Sequence, residues 1–145
     1  SNNYAKYVGN GSNNTIDINQ TGNANTTVNY IDLAVTGNSN NVSLQQTSTG
    51  GGKGIFATVS NNSNTLTVQQ KDAGSHYAEI NLSGGSKTVD LLQQGSASHM
   101  AKITLSGQPV GLNLNQSGST QQFYSITSNC ATAGGCAKIT VQQGQ

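Results

Sequence analysis

The fold is decided by a short stretch in the middle of the chain, Leu66-Thr67-Val68-Gln69-Gln70. Its two apolar residues alternate with polar ones, and the stretch ends in a pair of glutamines. Strict alternation is the period of a β-strand and not of a helix, so Leu66, Val68 and Gln70 share one face. The stretch therefore predicts a strand that turns its apolar residues and its final glutamine inward.

The same pattern occurs six times along the chain. Counted from Gln20, the final glutamine of each copy advances by 26, 24, 23, 23 and 27 residues. Near-equal steps are typical of a repeat architecture, in which each unit buries its apolar face against its neighbours. The six copies are Ile16-Asp-Ile18-Asn-Gln20, Val42-Ser-Leu44-Gln-Gln46, Leu66-Thr-Val68-Gln-Gln70, Val89-Asp-Leu91-Leu-Gln93, Leu112-Asn-Leu114-Asn-Gln116 and Ile139-Thr-Val141-Gln-Gln143.

A second alternating segment precedes each of these strands. Glycine, asparagine and serine clusters separate the two, and these residues tolerate the left-handed backbone of tight turns. The unit, here called a rung, is strand, turn, strand, turn, and the six rungs are expected at about residues 4–25, 26–54, 55–76, 77–99, 100–122 and 123–145. Four first strands are clear, at residues 31–35, 57–59, 78–82 and 101–105, and two are degenerate, at residues 5–9 and 124–126.

These rungs predict an all-β fold: one β-solenoid domain over residues 1–145, with six rungs of about 22–27 residues stacked parallel and in register. A meander of hairpins would use the same turn residues and is the main alternative. We favour the solenoid because equivalent strands recur with the same residues, as an in-register stack requires. Stacked end to end, such solenoids would form a filament.

The second strands supply the predicted interior. Buried amides are costly unless they are bonded, and identical amides one rung apart can bond to each other as a ladder. Alternatively, these glutamines are solvated strand ends, or Gln94 takes the fourth position and Leu92 points inward. The predicted ladder is Gln20, Gln46, Gln70, Gln93, Gln116 and Gln143; the predicted apolar core is Ile16, Ile18, Val42, Leu44, Leu66, Val68, Val89, Leu91, Leu112, Leu114, Ile139 and Val141.

Composition argues against several classes of function. Only 8% of the residues are charged, against roughly 25% in ordinary soluble domains, and the net charge is +1. Such a chain offers no basic surface for nucleic acid and no segment for membrane insertion. The five acids show no convergent pair, so we expect no catalytic residue, and no cofactor is expected. A chain that starts at Ser1 is expected to be a mature, secreted form.

A few side chains have specific expected partners. Cys130 and Cys136 are expected to form a small-loop disulfide, with a reactive thiol pair as the alternative. His76 and His99 occupy equivalent positions and are expected to stack about 5 Å apart, more often as turn residues than as metal ligands. Outward positions of the first strands, which would pair Glu79 with Lys102, are predicted to be Lys6, Asp32, Thr58, Glu79, Lys102 and Ser125.

The segment from Gly11 to Ala24, Gly-Ser-Asn-Asn-Thr-Ile-Asp-Ile-Asn-Gln-Thr-Gly-Asn-Ala, resembles the curlin repeats of bacterial curli fibres. The Gln116-Ser-Gly118 and Gln143-Gly144 segments repeat its glutamine and glycine positions. The resemblance implies an extracellular, amyloid-like fibre subunit on the bacterial surface, secreted through the outer membrane with secretion and nucleation proteins as partners. It also implies a role in biofilm matrix and adhesion. The rungs are longer than curlin repeats, and the cysteine pair is foreign to them.

The terminal strands are weakly charged and show no helical cap, which favours head-to-tail polymerisation with copies of the same chain, because unprotected strand edges are templates for further strands. Alternatively, the degenerate terminal rungs, with Gly9 and Ser128 in apolar positions, are themselves caps. Two other functions are compatible with the sequence. One is a monomeric solenoid that binds ice or a carbohydrate surface, and the other is a minor nucleator or adhesive tip of a fibre. The primary expectation is a structural fibre subunit and not an enzyme.

Overall fold

The computed structural model describes residues 2–22 and 27–144, and the described residues form a parallel β-solenoid of about six turns. Every strand pairing in these residues is parallel, so the predicted solenoid is confirmed and the hairpin meander is wrong. The strands are β1 (Asn2–Asn10), β2 (Thr15–Gly22), β3 (Val28–Thr36), β4 (Asn41–Ser48), β5 (Gly54–Ile55), β6 (Thr65–Gln70), β7 (Thr88–Gln94), β8 (Met100–Ile103), β9 (Gly111–Ser117), β10 (Phe123–Ile126) and β11 (Ile139–Gly144).

The strands form two faces of the solenoid. The second face is one six-stranded sheet in the order β2, β4, β6, β7, β9, β11, and its strands pair in register. The first face contains β1, β3 and β5 in one sheet and β8 and β10 in another. Isolated bridges from Gly54 to Tyr77 and from Tyr77 to Met100 connect these two sheets. On each face, the equivalent residues of all six rungs therefore form columns that run along the solenoid axis.

The register fixes where each rung begins. Residues 4, 30, 54, 77, 100 and 123 lie at equivalent positions on the first face. The predicted boundary at residue 26 lies outside the described residues, and the predicted boundary at residue 55 follows directly on Gly54. In the column before these positions, Asn29 and Lys53 stand where the later rungs have His76 and His99.

The first face is less regular than its sequence predicts. The expected strand at 78–82 has only an isolated bridge beside it, at Tyr77, and Ile80, Asn81 and Leu82 have positive φ angles. Such angles interrupt the strand ladder, because they turn the backbone out of the extended conformation. Ile80 and Leu82 are nevertheless fully buried. Alternation thus predicts which side chains face the core even where the backbone is not a regular strand.

The core lies between the two faces. Eight predicted core residues of the second strands are at most 2% exposed: Val42, Leu44, Leu66, Val68, Val89, Leu91, Leu112 and Leu114. The other four, Ile16, Ile18, Ile139 and Val141, belong to the two end rungs and are only partly buried. Burial is thus complete where a rung has neighbours on both sides and incomplete where it has one.

Turns within a rung stack closely on each other. Gly11 and Gly37 are equivalent, with φ angles of 128° and 105°, and the third copy of this position is Asn61 with φ 58°. A Cβ on Gly37 would collide with the backbone of Asn61. The glycine is required there both by the left-handed backbone and by the close approach of the next turn.

Candidate functional site

The predicted glutamines form one continuous chain of amide hydrogen bonds through the core. In each rung Nε2 donates to Oε1 of the glutamine in the next rung, over 2.7 Å from Gln20 to Gln46 and 3.0 Å from Gln46 to Gln70. The three later bonds, which end at Gln143, are 2.8 Å each. Gln93 occupies the fourth position and is fully buried, whereas Gln94 and Leu92 are partly exposed.

Each glutamine also joins the two strands of its own rung. The second N–H of its Nε2 donates to a carbonyl oxygen at the start of the first strand, such as Tyr30 O for Gln46 at 3.2 Å and Gly54 O for Gln70 at 3.0 Å. Both amide donors are therefore used, one along the solenoid axis and one across it. The carbonyls of the other rungs are Tyr4, Tyr77, Met100 and Phe123.

An asparagine ladder, which the sequence analysis missed, lines the turns within the first three rungs. Oδ1 of Asn14 accepts from Asn40 Nδ2 at 3.0 Å, and Asn40 Oδ1 accepts from Asn64 Nδ2 at 3.2 Å. The ladder donates toward the N-terminal rung, whereas the glutamine ladder donates toward the C-terminal rung. Its sequence signal is an asparagine directly before each of β2, β4 and β6. Lys87 takes this position in the fourth rung.

Two lysines are buried inside the turns, which the sequence analysis also missed. Lys53 Nζ donates to Asp72 O at 2.8 Å and Gly74 O at 2.7 Å. Lys87 Nζ donates to three carbonyls, those of Gly84, Gly107 and Gln108. Burial lowers the pKa of Lys53 to about 8, and it lowers the pKa of Lys87 as well. In these turns the lysine ammonium groups, rather than side-chain amides, donate to the buried backbone carbonyls.

The predicted histidine pair lies in the turns between rungs. The rings of His76 and His99 stack with centroids 5.1 Å apart and an angle of 4°. Nε2–H donates to Lys71 O at 2.8 Å in the first case and to Gln94 O at 2.9 Å in the second. Since Nδ1 of His76 also faces the backbone N–H of His99 at 3.4 Å, both nitrogens of this ring are directed at the protein.

The charge environment keeps His76 neutral. Burial, reinforced by the Lys53 ammonium in the rung before it, lowers the pKa of His76 to about 4. No group of three or more potential metal ligands occurs in the described part of the chain. The geometry therefore assigns this histidine a structural contact inside the turn stack.

Aromatic side chains form a row along the outside of the first face. Tyr4 and Tyr30 stack with centroids 5.0 Å apart and an angle of 5°, and Phe56 continues the row at 5.4 Å from Tyr30 and 5.6 Å from Tyr77. Because Gly54 has no side chain, Phe56 fills the third rung from the neighbouring outward column. Met100 and Phe123 follow Tyr77 in the same column of the last two rungs.

Ion pairs flank this row. Glu79 and Lys102 are 3.3 Å apart, as the sequence predicted, and Lys6 and Asp32 are 3.5 Å apart. Thr58 does not belong to their column, because it pairs with Ala34. Phe56 occupies the third position of that column. The inward residues of the third rung begin at Ile55, two residues before Ala57, where the alternation of Ala57 and Val59 had placed them.

Cys130 and Cys136 form a disulfide with Cα atoms 5.8 Å apart. Their loop packs on the turn of the rung before it, where Cys136 N–H donates to Pro109 O at 2.9 Å. The loop is therefore held to the turn of the fifth rung.

The two end rungs carry the open edges of the structure. β1 and β2 pair on one side only, and so do β10 and β11. No described residue beyond Gln20 donates to its Oε1, and none beyond Gln143 accepts its second N–H. At the C-terminal end, Oε1 of Gln122 is buried without a partner in the described residues.

The five acids lie on the outside or in turns. Asp17 and Asp72 are exposed, and Asp32, Glu79 and Asp90 are partly buried. A shallow depression of about 250 Å³ on the second face includes Asp90 among otherwise neutral side chains. Within the described ranges, no helix is long and apolar enough to cross a membrane.

Comparisons with protein-family models, with curated proteins and with solved structures found no match.

Proposed function

We propose that the chain is the structural subunit of an extracellular bacterial fibre, which grows by end-to-end stacking of solenoids. The observation that carries the proposal is the interruption of the glutamine ladder at both ends. Gln143 holds an amide N–H directed along the axis, and Gln20 holds the matching acceptor. The C-terminal end therefore offers an amide N–H donor, and the N-terminal end offers the amide oxygen that would accept it.

The apolar end surfaces support the same proposal. Ile16 and Ile18 at one end and Ile139 and Val141 at the other remain partly exposed, whereas their counterparts inside the stack are buried. Stacking a second copy would bury them, and burial stabilises by about 25 cal/mol per Å² of apolar surface. The low charge of the chain leaves little repulsion to oppose this contact.

The cellular part of the proposal rests on other observations. The resemblance to curlin repeats favours a fibre of the bacterial surface with a role in biofilm matrix and adhesion. A disulfide at Cys130 and Cys136 is compatible with an oxidising, extracellular compartment. Secretion and nucleation proteins of the outer membrane are the partners that such a route would need.

The test is electron microscopy and fibre diffraction of the purified chain at neutral pH without any partner. We expect unbranched filaments with a spacing near ~4.8 Å along the axis and a weaker repeat of roughly 29 Å, the height of six rungs. A stable, dispersed monomer would contradict the fibre proposal and would favour a monomeric binding module.

A matched pair of variants separates folding from assembly. Val141→Lys places a charge on the inward, half-buried side of the last strand, whereas Thr140→Lys places it on the exposed side. We expect the first variant to remain folded but to form no filaments, and the second to form filaments like the parent chain. Equal filament formation by both variants would rule out this end as an assembly surface.

A further inference from the structure

The side chains of the two end rungs bear on the register and the polarity in which two copies of the chain would stack. The inference rests on the proposed function as a fibre subunit. Tyr4 and Tyr30 stack along the solenoid axis, whereas Phe56 is tilted against both Tyr30 and Tyr77. One face of Tyr4 contacts Tyr30, and its other face is directed at the open N-terminal end. Phe123 is the last residue of the column that contains Tyr4 and Tyr30, and it is 61% exposed. Each end thus presents an aromatic side chain of the same column.

The inward residues of the two ends differ in size in a complementary way. At the C-terminal end the inward positions of the first strand are Tyr124, Ile126 and Ser128. At the N-terminal end the equivalent positions are Ala5, Tyr7 and Gly9. The ring of Tyr7 lies over Gly9, where a Cβ would collide with it. The largest side chain of one end therefore faces Ala5, and the bulk of Tyr7 is directed toward Ser128.

The polar groups of the two ends match in the same alignment. In the column that ends at Gln122, Nδ1 of His76 faces the backbone N–H of His99 at 3.4 Å, whereas Oδ1 of Asn29 and Nδ1 of His99 are buried without a donor among the described residues although a rung follows each of them. The buried Oε1 of Gln122 resembles these interior groups and does not mark a missing rung. The amides of the glutamine ladder do match between the two ends. The second N–H of Gln143 would meet Oε1 of Gln20 in the same arrangement.

We propose that the junction between subunits is polar and has one register, in which residues 123–126 of one copy continue onto residues 4–7 of the next. In this register Phe123 stacks on Tyr4 and Tyr124 covers Ala5. On the second face, residues 139–143 continue onto residues 16–20, so the glutamine ladder passes from one molecule into the next.

Other registers lose these matches. A shift by one residue turns the apolar side chains outward on both faces, because strand side chains alternate. A shift by two keeps the alternation but places Gln143 against Ile18 or Gly22, and the amide N–H then lacks its acceptor. Head-to-head contact would place two acceptors of Gln20 against each other.

Disulfide trapping between single-cysteine additions tests the register. Lys6 and Ser125 are both exposed and outward, and they lie in the first and last rungs, too far apart to be joined within one molecule. In the proposed junction they become neighbours on adjacent strands, about 5 Å apart, which is within the range for a disulfide. We expect mixed Lys6→Cys and Ser125→Cys filaments to yield covalent dimers under mild oxidation, with the new link located by peptide mass spectrometry.

Three controls make the result specific. Lys6→Cys alone and Ser125→Cys alone should give no dimer above background, because equal ends do not meet in a polar filament. Val8→Cys mixed with Ser125→Cys should give at least tenfold less dimer, since Val8 is outward but two residues out of register. A dominant dimer from Lys6→Cys alone, or from the Val8 pair, overturns the proposed junction.

If the parent chain forms no filaments, the fibre proposal itself fails. If filaments form and the trapped pair is a different one, only the register fails. A second variant tests the size match: Ala5→Trp should slow elongation at least tenfold by blocking the place of Tyr124, whereas the exposed, outward Val8→Trp should elongate at the parent rate.

Discussion

Individual polar residues determine how this core is held together. Four glutamines are fully buried, and each uses both amide donors and its acceptor. Burying such groups without partners would cost about 1–3 kcal/mol each. The stacked rungs supply the partners by repetition, so the same residue type is satisfied in every interior rung.

Gln70→Leu tests the ladder in its middle. The substitution keeps the size of the side chain but removes the donors to Gly54 O and Gln93 and the acceptor for Gln46. Gly54 O still accepts from Ala78 N–H, so two buried groups lose their partner, Oε1 of Gln93 and one N–H of Gln46. At about 1–3 kcal/mol for each, we expect the free energy of unfolding to fall by about 2–6 kcal/mol. Denaturant unfolding of the freshly purified, unassembled chain measures the change.

Gln69→Leu is the matched control, one residue away on the outward side. Gln69 makes one side-chain bond, to Gln45 at 3.2 Å, and is only partly buried. We expect its loss to change the free energy of unfolding by no more than about 0.5 kcal/mol. Equal losses in the two variants would show that the inner ladder does not stabilise the monomer.

His76 makes the stability depend on pH. Burial and the Lys53 ammonium hold its pKa near 4 in the folded chain, against about 6.5 when it is unfolded. The unfolded chain therefore binds more protons between these values, so the contribution of the neutral ring is complete above pH 6.5 and is lost as the pH falls toward 4. We expect the free energy of unfolding to decrease across this range.

His76→Gln isolates that contribution. Gln122 occupies the same column in the last rung and donates from Nε2 to Ser117 O at 3.0 Å, as His76 donates to Lys71 O. The variant keeps the neighbouring titratable groups, Lys53, His99 and Asp72, in both chains, so the comparison reports the removal of the His76 ring. A shallower dependence on pH between 6.5 and 4 is expected, and identical slopes would refute the assignment.

The elements differ in how well the sequence predicts them. Second strands were predicted correctly because alternation and the final glutamine coincide in every copy. First strands carry alternation alone, so the first strand of the third rung was placed at residues 57–59 although the core column begins at Ile55. The positive φ angles of Ile80 and Leu82 have no sequence signal, since neither residue favours that backbone.

Gly37 tests whether the close stacking of the turns stabilises the solenoid. Gly37→Ala would place a Cβ against the backbone of Asn61 at a φ of 105°. Strain and overpacking together are expected to lower the free energy of unfolding by about 2–3 kcal/mol. Gly134→Ala is the control, because nothing lies within 4 Å of its added Cβ. Denaturant midpoints of both variants test this, and a tolerated Gly37→Ala would contradict the proposed turn stack.

The whole molecule was predictable because its repeat spacing is regular. Five near-equal steps between the six final glutamines were enough for the fold class and for the glutamine ladder. The lysines of the turns were missed because Lys53 and Lys87 look like exposed charges in a polar loop. Only the stacking of turns shows that backbone carbonyls surround them. The register of the first face also required the structure.

The opposite directions of the two amide ladders have an electrostatic consequence for the molecule. Each stacked amide adds a dipole along the axis, as peptide units do in a helix. Asparagine dipoles oppose glutamine dipoles in the first three rungs, but the last three rungs contain glutamine alone. The uncompensated part leaves partial positive charge at the C-terminal rung and partial negative charge at the N-terminal rung. Two molecules approaching along the axis would therefore attract each other in one orientation and repel in the other.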